Sequence, residues 1–265
     1  MQSSARIHET AIVADGASLG DDVDIGPFCR IGPGVTIGAG ARLVSHVSID
    51  GRTEIGARAR IHPFAVVGEP PQHAGWKGED TRLVVGADAV VREHVTIHKG
   101  TVDGGGATRI GNGVMLMVGA HVAHDCEIGD GVTFANNATL GGHVVVEEGA
   151  FLGGLCAVHQ FCRIGAFAMV GGCAAVPSDV NPFGSAVGNH ASLAGLNVVG
   201  MKRRGLARAD IHRVRSAVRA LFEGEGAAAD RLPAIEKQYG DDPYVTRIVA
   251  FVKAGSRRPL MAPSR

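Results

Sequence analysis

Apolar positions along this chain keep a six-residue beat. An apolar residue recurs at Ile7, Val13, Leu19, Ile25, Ile31, Ile37, Leu43, Ile49, Ile55, Ile61 and Val67. The beat resumes at Val85, Val91 and Ile97, and then runs from Ile110 through Val122, Leu140, Val158 and Val170 to Val176. Period six matches neither the 3.6 of a helix nor the alternation of a lone strand. It fits a solenoid in which each hexad is a short strand and a turn, and three hexads close a triangular coil. The apolar opener fills the interior. A small residue four positions later, such as Ala17, Cys29, Ala120 or Cys126, lets the wall bend inward. Glycine directly after the opener, as at Gly20, Gly26, Gly38, Gly129 and Gly165, is expected to supply turn dihedrals that side chains forbid. Residues eighteen apart then lie above one another, at roughly 4.8 Å per coil. The 26 openers make about nine coils.

Two insertions break the beat, at 69–82 and 100–108. The first carries two prolines and the only tryptophan, and the second contains Gly104-Gly105-Gly106. Loops thrown out of an otherwise regular solenoid are good places for function. The beat ends near Val180, and helical spacing takes over from about Gly205. Ile211, Val214, Val218, Leu221 and Phe222 form one apolar face. A second helix is expected over 230–239. A third opens at Asp242-Pro243, with an N-cap followed by proline, and buries Val245, Ile248, Val249 and Val252. The tail after Gly255 reads as disordered. The organisation is therefore a parallel β-helix over residues 1–190 and a small α-helical C-terminal domain over 191–265.

Composition narrows the function. Basic and acidic residues balance at 26 each, which gives no global field for nucleic acid or membrane. No apolar run is long enough to span a bilayer, and the N-terminus lacks a signal-peptide core, so a cytoplasmic protein without membrane insertion is expected. The five cysteines form neither a metal-finger spacing nor an even disulfide framework. Cys29, Cys126, Cys156 and Cys162 occupy the small inward slot and read as buried packing thiols.

Candidate chemistry gathers on one outer edge. His124, Gly142 and Gln160 stand eighteen apart and share a column; Asp125 and His143 share the next. His159 flanks Gln160, and His121 precedes His124 by three. Imidazole is the natural base near neutral pH, a neighbouring carboxylate fixes its tautomer, and glycine offers an unobstructed N–H for an oxyanion. The bland alternative is a set of solvated turn histidines. Lys202, Arg203, Arg204, Arg208, Arg213, Arg215 and Arg219 make the junction with the helices basic. They suit a phosphate or an acidic protein partner as well as a solvated helix face.

The hexads, together with the strings 121–126 (HVAHDC), 136–140 (NNATL), 157–162 (AVHQFC), 169–173 (MVGGC), 188–191 (GNHA) and 202–205 (KRRG), resemble the acyl-ACP–UDP-N-acetylglucosamine O-acyltransferases. These catalyse the first step of lipid A biosynthesis. The resemblance covers essentially the whole chain and implies a left-handed coil, a homotrimer and no cofactor. The substrates it implies are UDP-N-acetylglucosamine and a 3-hydroxyacyl chain on acyl carrier protein. By the same resemblance, His124 is the general base for the sugar 3-hydroxyl, with Asp125 as its partner, and the Gly142 N–H stabilises the oxyanion. His121, His143, His159 and Gln160 position the substrates. Gly172 gauges acyl length and leaves room for a longer chain, His190 lies in a matching string, and Asn197, Arg203 and Arg204 hold the nucleotide.

The chain departs from the family where its first loop usually reads Pro-Gln-Asp-Leu-Lys. Here Pro71-Gln72-His73-Ala74-Gly75 lacks both the acid and the lysine, and Lys77 is a candidate substitute; Val199 replaces a common glutamate. Other readings are an N-acyltransferase acting on a 3-amino sugar and a non-catalytic or zinc-binding prism. For zinc, His62 and His98 are 36 apart, but position 103 is Asp103 and no two histidines are five apart. No metal site is expected.

Overall fold

The computed structural model describes residues 5–264. Its larger part is a left-handed parallel β-helix with three sheets as walls. The first sheet has eleven strands and starts at Arg6–Ile7; the second has nine, from Ile12–Val13; the third has eight, from Ser18–Leu19. Register follows the eighteen-residue arithmetic, with Ile7 on Ile25 and Val122 on Leu140. It jumps to Ile61 on Val91 and Ile97 on Val122 where the insertions lengthen a coil. Openers from Ile25 onward are nearly fully buried, whereas Ile7, with no coil beneath it, is 48% exposed. The inward cysteines 29, 126, 156 and 162 are buried, and Cys173 is exposed.

Glycine plays a different part from the one expected. The left-handed turn residue stands three after the opener, and it is often not glycine: Phe28, Asp125, His143 and Phe167 all have φ near +60°. Gly20, Gly26, Gly38, Gly129 and Gly165, right after the opener, are not left-handed and permit close approach of the next coil; Gly68 is an exception at φ 86°. A Cβ at Gly26 would stand 1.8 Å from the Val44 carbonyl oxygen, and one at Gly165 would stand 2.3 Å from the Pro182 nitrogen. Coil stacking, not turn geometry, excludes a side chain there.

The prism has three edges, and both insertions leave from the one between the second and third sheets. That edge also carries Asp125, His143 and Phe161 at its turns. A last strand, Ser192–Leu196, pairs antiparallel with Gly184–Val187. The helices are α1 (Val198–Arg203), which the hydrophobic spacing did not reveal, α2 (Arg208–Phe222), α3 (Leu232–Tyr239) and α4 (Pro243–Lys253). A 3-10 turn, Ala228–Arg231, leads into α3. The Asp242 carboxylate caps α4 by accepting from the Tyr244 and Val245 N–H groups. Phe251 rather than Val252 is the fully buried residue at the end of α4. The tail is not disordered. The Pro259 carbonyl accepts from Asp179 N–H, Met261 N–H donates to the Asp179 carbonyl, and Leu193 N–H donates to the Ala262 carbonyl. Buried Met261 and free backbone groups beside the last coils hold the tail where composition alone gave no periodic signal.

Candidate active site

Asp125 is the buried centre of the histidine edge. Its side chain is 0% exposed and sits 2.7 Å from His124 Nδ1, with His143 Nε2 at 3.6 Å. The second insertion clamps it: Oδ1 accepts from Thr101 N–H and Oδ2 from Thr101 Oγ1, both at 2.7 Å. The Asp125 N–H in turn donates to Thr108 Oγ1 at 2.8 Å. A Cβ at Gly104 would fall 2.0 Å from the Asp125 carboxyl carbon, so only glycine lets the loop close over it. Burying a carboxylate is costly unless hydrogen bonds satisfy it, and the insertion supplies them.

The bond to Asp125 assigns the proton of neutral His124 to Nδ1 and leaves Nε2 with its lone pair. The Nε2–Cε1 edge of the ring lies over Gly142, where an added Cβ would stand 2.8 Å from Nε2 and 2.6 Å from Cε1. The Gly142 carbonyl accepts from Phe161 N–H, while among the described residues the Gly142 N–H has no acceptor. A free imidazole nitrogen and a free backbone donor therefore stand side by side. This arrangement can take a proton from one atom while stabilising negative charge on another.

Other imidazoles surround this pair. His143 packs edge-on to His124 (5.1 Å between centroids) and stacks on Phe161 at 4.5 Å. Burial lowers its pKa below the ordinary histidine value. His121 Nδ1 bonds Thr96 Oγ1 at 2.7 Å, and burial pushes its pKa down to about 4. Two contributors went unassigned in the sequence. His98, buried, meets His121 edge-on at 5.3 Å, and its Nδ1 has no partner. His73, from the first insertion, meets His124 edge-on at 5.3 Å. Register arithmetic corrected for the second insertion would have brought His98 beside His121. Nothing periodic points to His73. Lys77, the candidate substitute for the missing loop lysine, is exposed, and a second cation of this region, Lys99, has its Nζ 5.3 Å from the Trp76 ring centroid. Among the described residues, the one group with ligand atoms close enough for a metal ion is His124, Asp125 and His143, within 4.8 Å.

The expected site residues fall on all three edges. His121, His124, Asp125, Gly142, His143, His159 and Gln160 share the edge between the second and third sheets, or the strand end beside it. Gly172 lies at the edge between the first and second sheets, where its added Cβ would meet only the Gly154 carbonyl oxygen, at 3.3 Å. His190 is exposed beside it, next to Ala191, whose N–H donates to the Ala175 carbonyl. Arg204 lies at the third edge, donating to the Gly149 carbonyl at 2.8 Å and stacking on Phe167. Asn197 spends its amide there as the cap of α1, accepting from Gly200 N–H and donating to the Phe167 carbonyl. Arg203, the last residue of α1, is exposed.

Comparison with known proteins bears on this geometry. Residues 179–261 match the family described as UDP N-acetylglucosamine O-acyltransferase, domain 2, and residues 107–142 match bacterial transferase hexapeptide repeats. An acyl-[acyl-carrier-protein]–UDP-N-acetylglucosamine O-acyltransferase of Azorhizobium caulinodans is 56% identical over 98% of this chain and 96% of its own length. The Rhizobium etli protein of the same name is 49% identical over 99% of this chain and 96% of its own length. Among solved structures, LpxA from Acinetobacter baumannii superposes with a TM-score of 0.94 at 39% identity, covering 96% of this chain and 99% of that one. The UDP-N-acetylglucosamine acyltransferase of Francisella novicida gives 0.94 at 32% identity, covering 98% and 95%.

Proposed function

The chain belongs to the acyl-[acyl-carrier-protein]–UDP-N-acetylglucosamine O-acyltransferase family, and from that premise we propose that it transfers a 3-hydroxyacyl group from acyl carrier protein to the 3-hydroxyl of UDP-N-acetylglucosamine, the first step of lipid A biosynthesis. The observation that carries the mechanism is the His124 ring, with Nδ1 tied to a clamped Asp125 and its Nε2 edge over Gly142. His124 Nε2 removes the proton of the sugar hydroxyl as that oxygen attacks the thioester carbonyl. The tetrahedral oxyanion accepts the Gly142 N–H. Collapse breaks the carbon–sulfur bond, and the departing thiolate takes the proton back from the imidazolium. Asp125 stabilises that imidazolium through its hydrogen bond to Nδ1. General-base action is worth about 10²–10⁴-fold and one oxyanion donor about 10²–10³-fold, together about 10⁴–10⁷-fold, and the proposed step uses neither a covalent intermediate nor a metal.

His121, His143, His159 and Gln160 position the reacting groups around this centre. The second sheet joins the histidine edge to Gly172 and His190, and the acyl chain lies along that face. Asn197, Arg203 and Arg204 stand on another edge of the same chain, so the nucleotide site is completed between copies in a homotrimer. The reaction runs in the cytoplasm. Among the described residues no helix is long and apolar enough to cross a membrane. A second reading, acylation of a 3-amino sugar, uses the same base; His73 meets His124 where the first loop departs from the pattern implied by the resemblance, and this is where a changed acceptor would be read.

The test is acyl transfer by wild type with a panel of 3-hydroxyacyl carrier proteins. UDP-N-acetylglucosamine and its 3-amino analogue serve as acceptors, and sedimentation gives the assembly state. Ester product from a trimer is expected. Turnover with the amino analogue alone overturns O-acylation, and an active monomer overturns the shared nucleotide site.

A further inference from the structure

The strap at residues 255–264 crosses the histidine edge and leaves two guanidinium groups there. Arg258 Nη2 lies 2.5 Å from His159 Nδ1, and Arg258 Nε donates to the Gln160 carbonyl at 3.0 Å. The Arg257 guanidinium lies 4.6 Å from the Phe161 ring centroid, capping the ladder in which Phe161 stacks on His143. Arg257 is exposed, and among the described residues no carboxylate pairs with it. An arginine held flat on an aromatic face keeps its planar N–H edge free, which is the geometry that grips phosphate oxygens. Backbone pairing of the strap at Asp179 and Leu193 fixes where both side chains start.

We propose that this strap is part of the active site, with Arg257 binding a substrate phosphate and Arg258 positioning His159 and Gln160. The inference rests on the reaction proposed above, in which both substrates carry phosphate. One is the diphosphate of the nucleotide-sugar, and the other is the phosphodiester in the thioester arm of the carrier protein. The ladder gives Arg257 a second effect. His143 faces Asp125, the His124 and His73 rings, and Arg257, and the cation adds to the burial that lowers the His143 pKa, against the opposing pull of Asp125. A phosphate on Arg257 would relax that bias.

The experiment is steady-state kinetics on Arg257→Ala, Arg257→Lys and Arg258→Ala, varying each substrate separately, with melting temperatures to confirm folding. Arg257→Ala should raise one KM by roughly 10- to 100-fold, with kcat little changed and partial rescue in Arg257→Lys. A change in the nucleotide-sugar KM assigns the diphosphate, and a change in the acyl-carrier KM assigns the phosphodiester. NMR titration of Arg257→Ala should show His143 protonating at higher pH than in wild type. Arg258→Ala should lower kcat while leaving the His143 titration alone. Both KM values within about twofold of wild type in Arg257→Ala would overturn the proposal. Inactive wild type would count against the reaction itself. In that event, equilibrium binding of UDP-N-acetylglucosamine and of phosphopantetheine to wild type and Arg257→Ala still decides, and unchanged affinity for both overturns the strap's role.

Discussion

A single methyl group at Gly142 should disable the base by displacing its ring. Gly142 is not in the left-handed region, so alanine adopts its backbone freely. The new Cβ, however, would stand 2.6 Å from His124 Cε1 and 2.8 Å from Nε2. Carbon atoms settle at about 3.5–4.0 Å, so the ring must retreat by about 1 Å. The His124–Asp125 hydrogen bond, now 2.7 Å, cannot stretch by that much and survive. Misplacing a reacting group by about 1 Å can cost about 10²-fold, or roughly 3 kcal/mol in the barrier. Gly142→Ala should therefore lower kcat by about 10²-fold or more, with KM for both substrates little changed. The assay is acyl transfer under saturating substrate, with circular dichroism melting to confirm that the corner still folds. A folded Gly142→Ala enzyme within about threefold of the wild-type kcat would refute the placement of the His124 ring over this glycine as a catalytic requirement.

Two further outcomes follow from the same geometry. Gly104→Ala drives a Cβ into the Asp125 carboxylate and should lift the second insertion, costing on the order of 2–4 kcal/mol in lost charge-assisted hydrogen bonds; denaturant midpoints measure it, and an unchanged midpoint contradicts the clamp. His121 has a folded pKa of about 4 against an ordinary 6.5, so the unfolded chain takes the proton first. Its contribution is complete above about pH 6.5 and is lost as pH falls toward about 4. Allowing for the ring's partial exposure, that is on the order of 2 kcal/mol. Unfolding of His121→Gln at pH 7 and 4.5 should show a shallower pH slope than wild type, and equal slopes contradict the assignment.

Much of the site was legible because a solenoid converts sequence spacing into distance. Eighteen-residue arithmetic alone put His124 over Gly142 and Asp125 beside His143, and both neighbourhoods are present. The same arithmetic fails across an insertion, which is why Thr101 and His98 were not associated with Asp125 and His121 beforehand. Their partners are set by how the loop folds back, and no period encodes that. His73 is hidden for the same reason. The strap is a different case: its anchoring uses backbone groups and one buried methionine, and such contacts leave almost no trace in composition. The glycines were placed correctly and explained wrongly. A residue without Cβ serves two needs, positive φ and close approach, and the beat cannot tell which one a given coil imposes.

The most direct test of the central claim is single-turnover acyl transfer by wild type and His124→Ala, each verified as folded, with UDP-N-acetylglucosamine and a 3-hydroxyacyl carrier protein. A general base held by Asp125 predicts that the chemical step in the variant drops by at least about 10²-fold, with substrate binding retained. A chemical step of wild-type speed in folded His124→Ala would mean that another group takes the proton, and the mechanism built on the Asp125-clamped imidazole would be wrong.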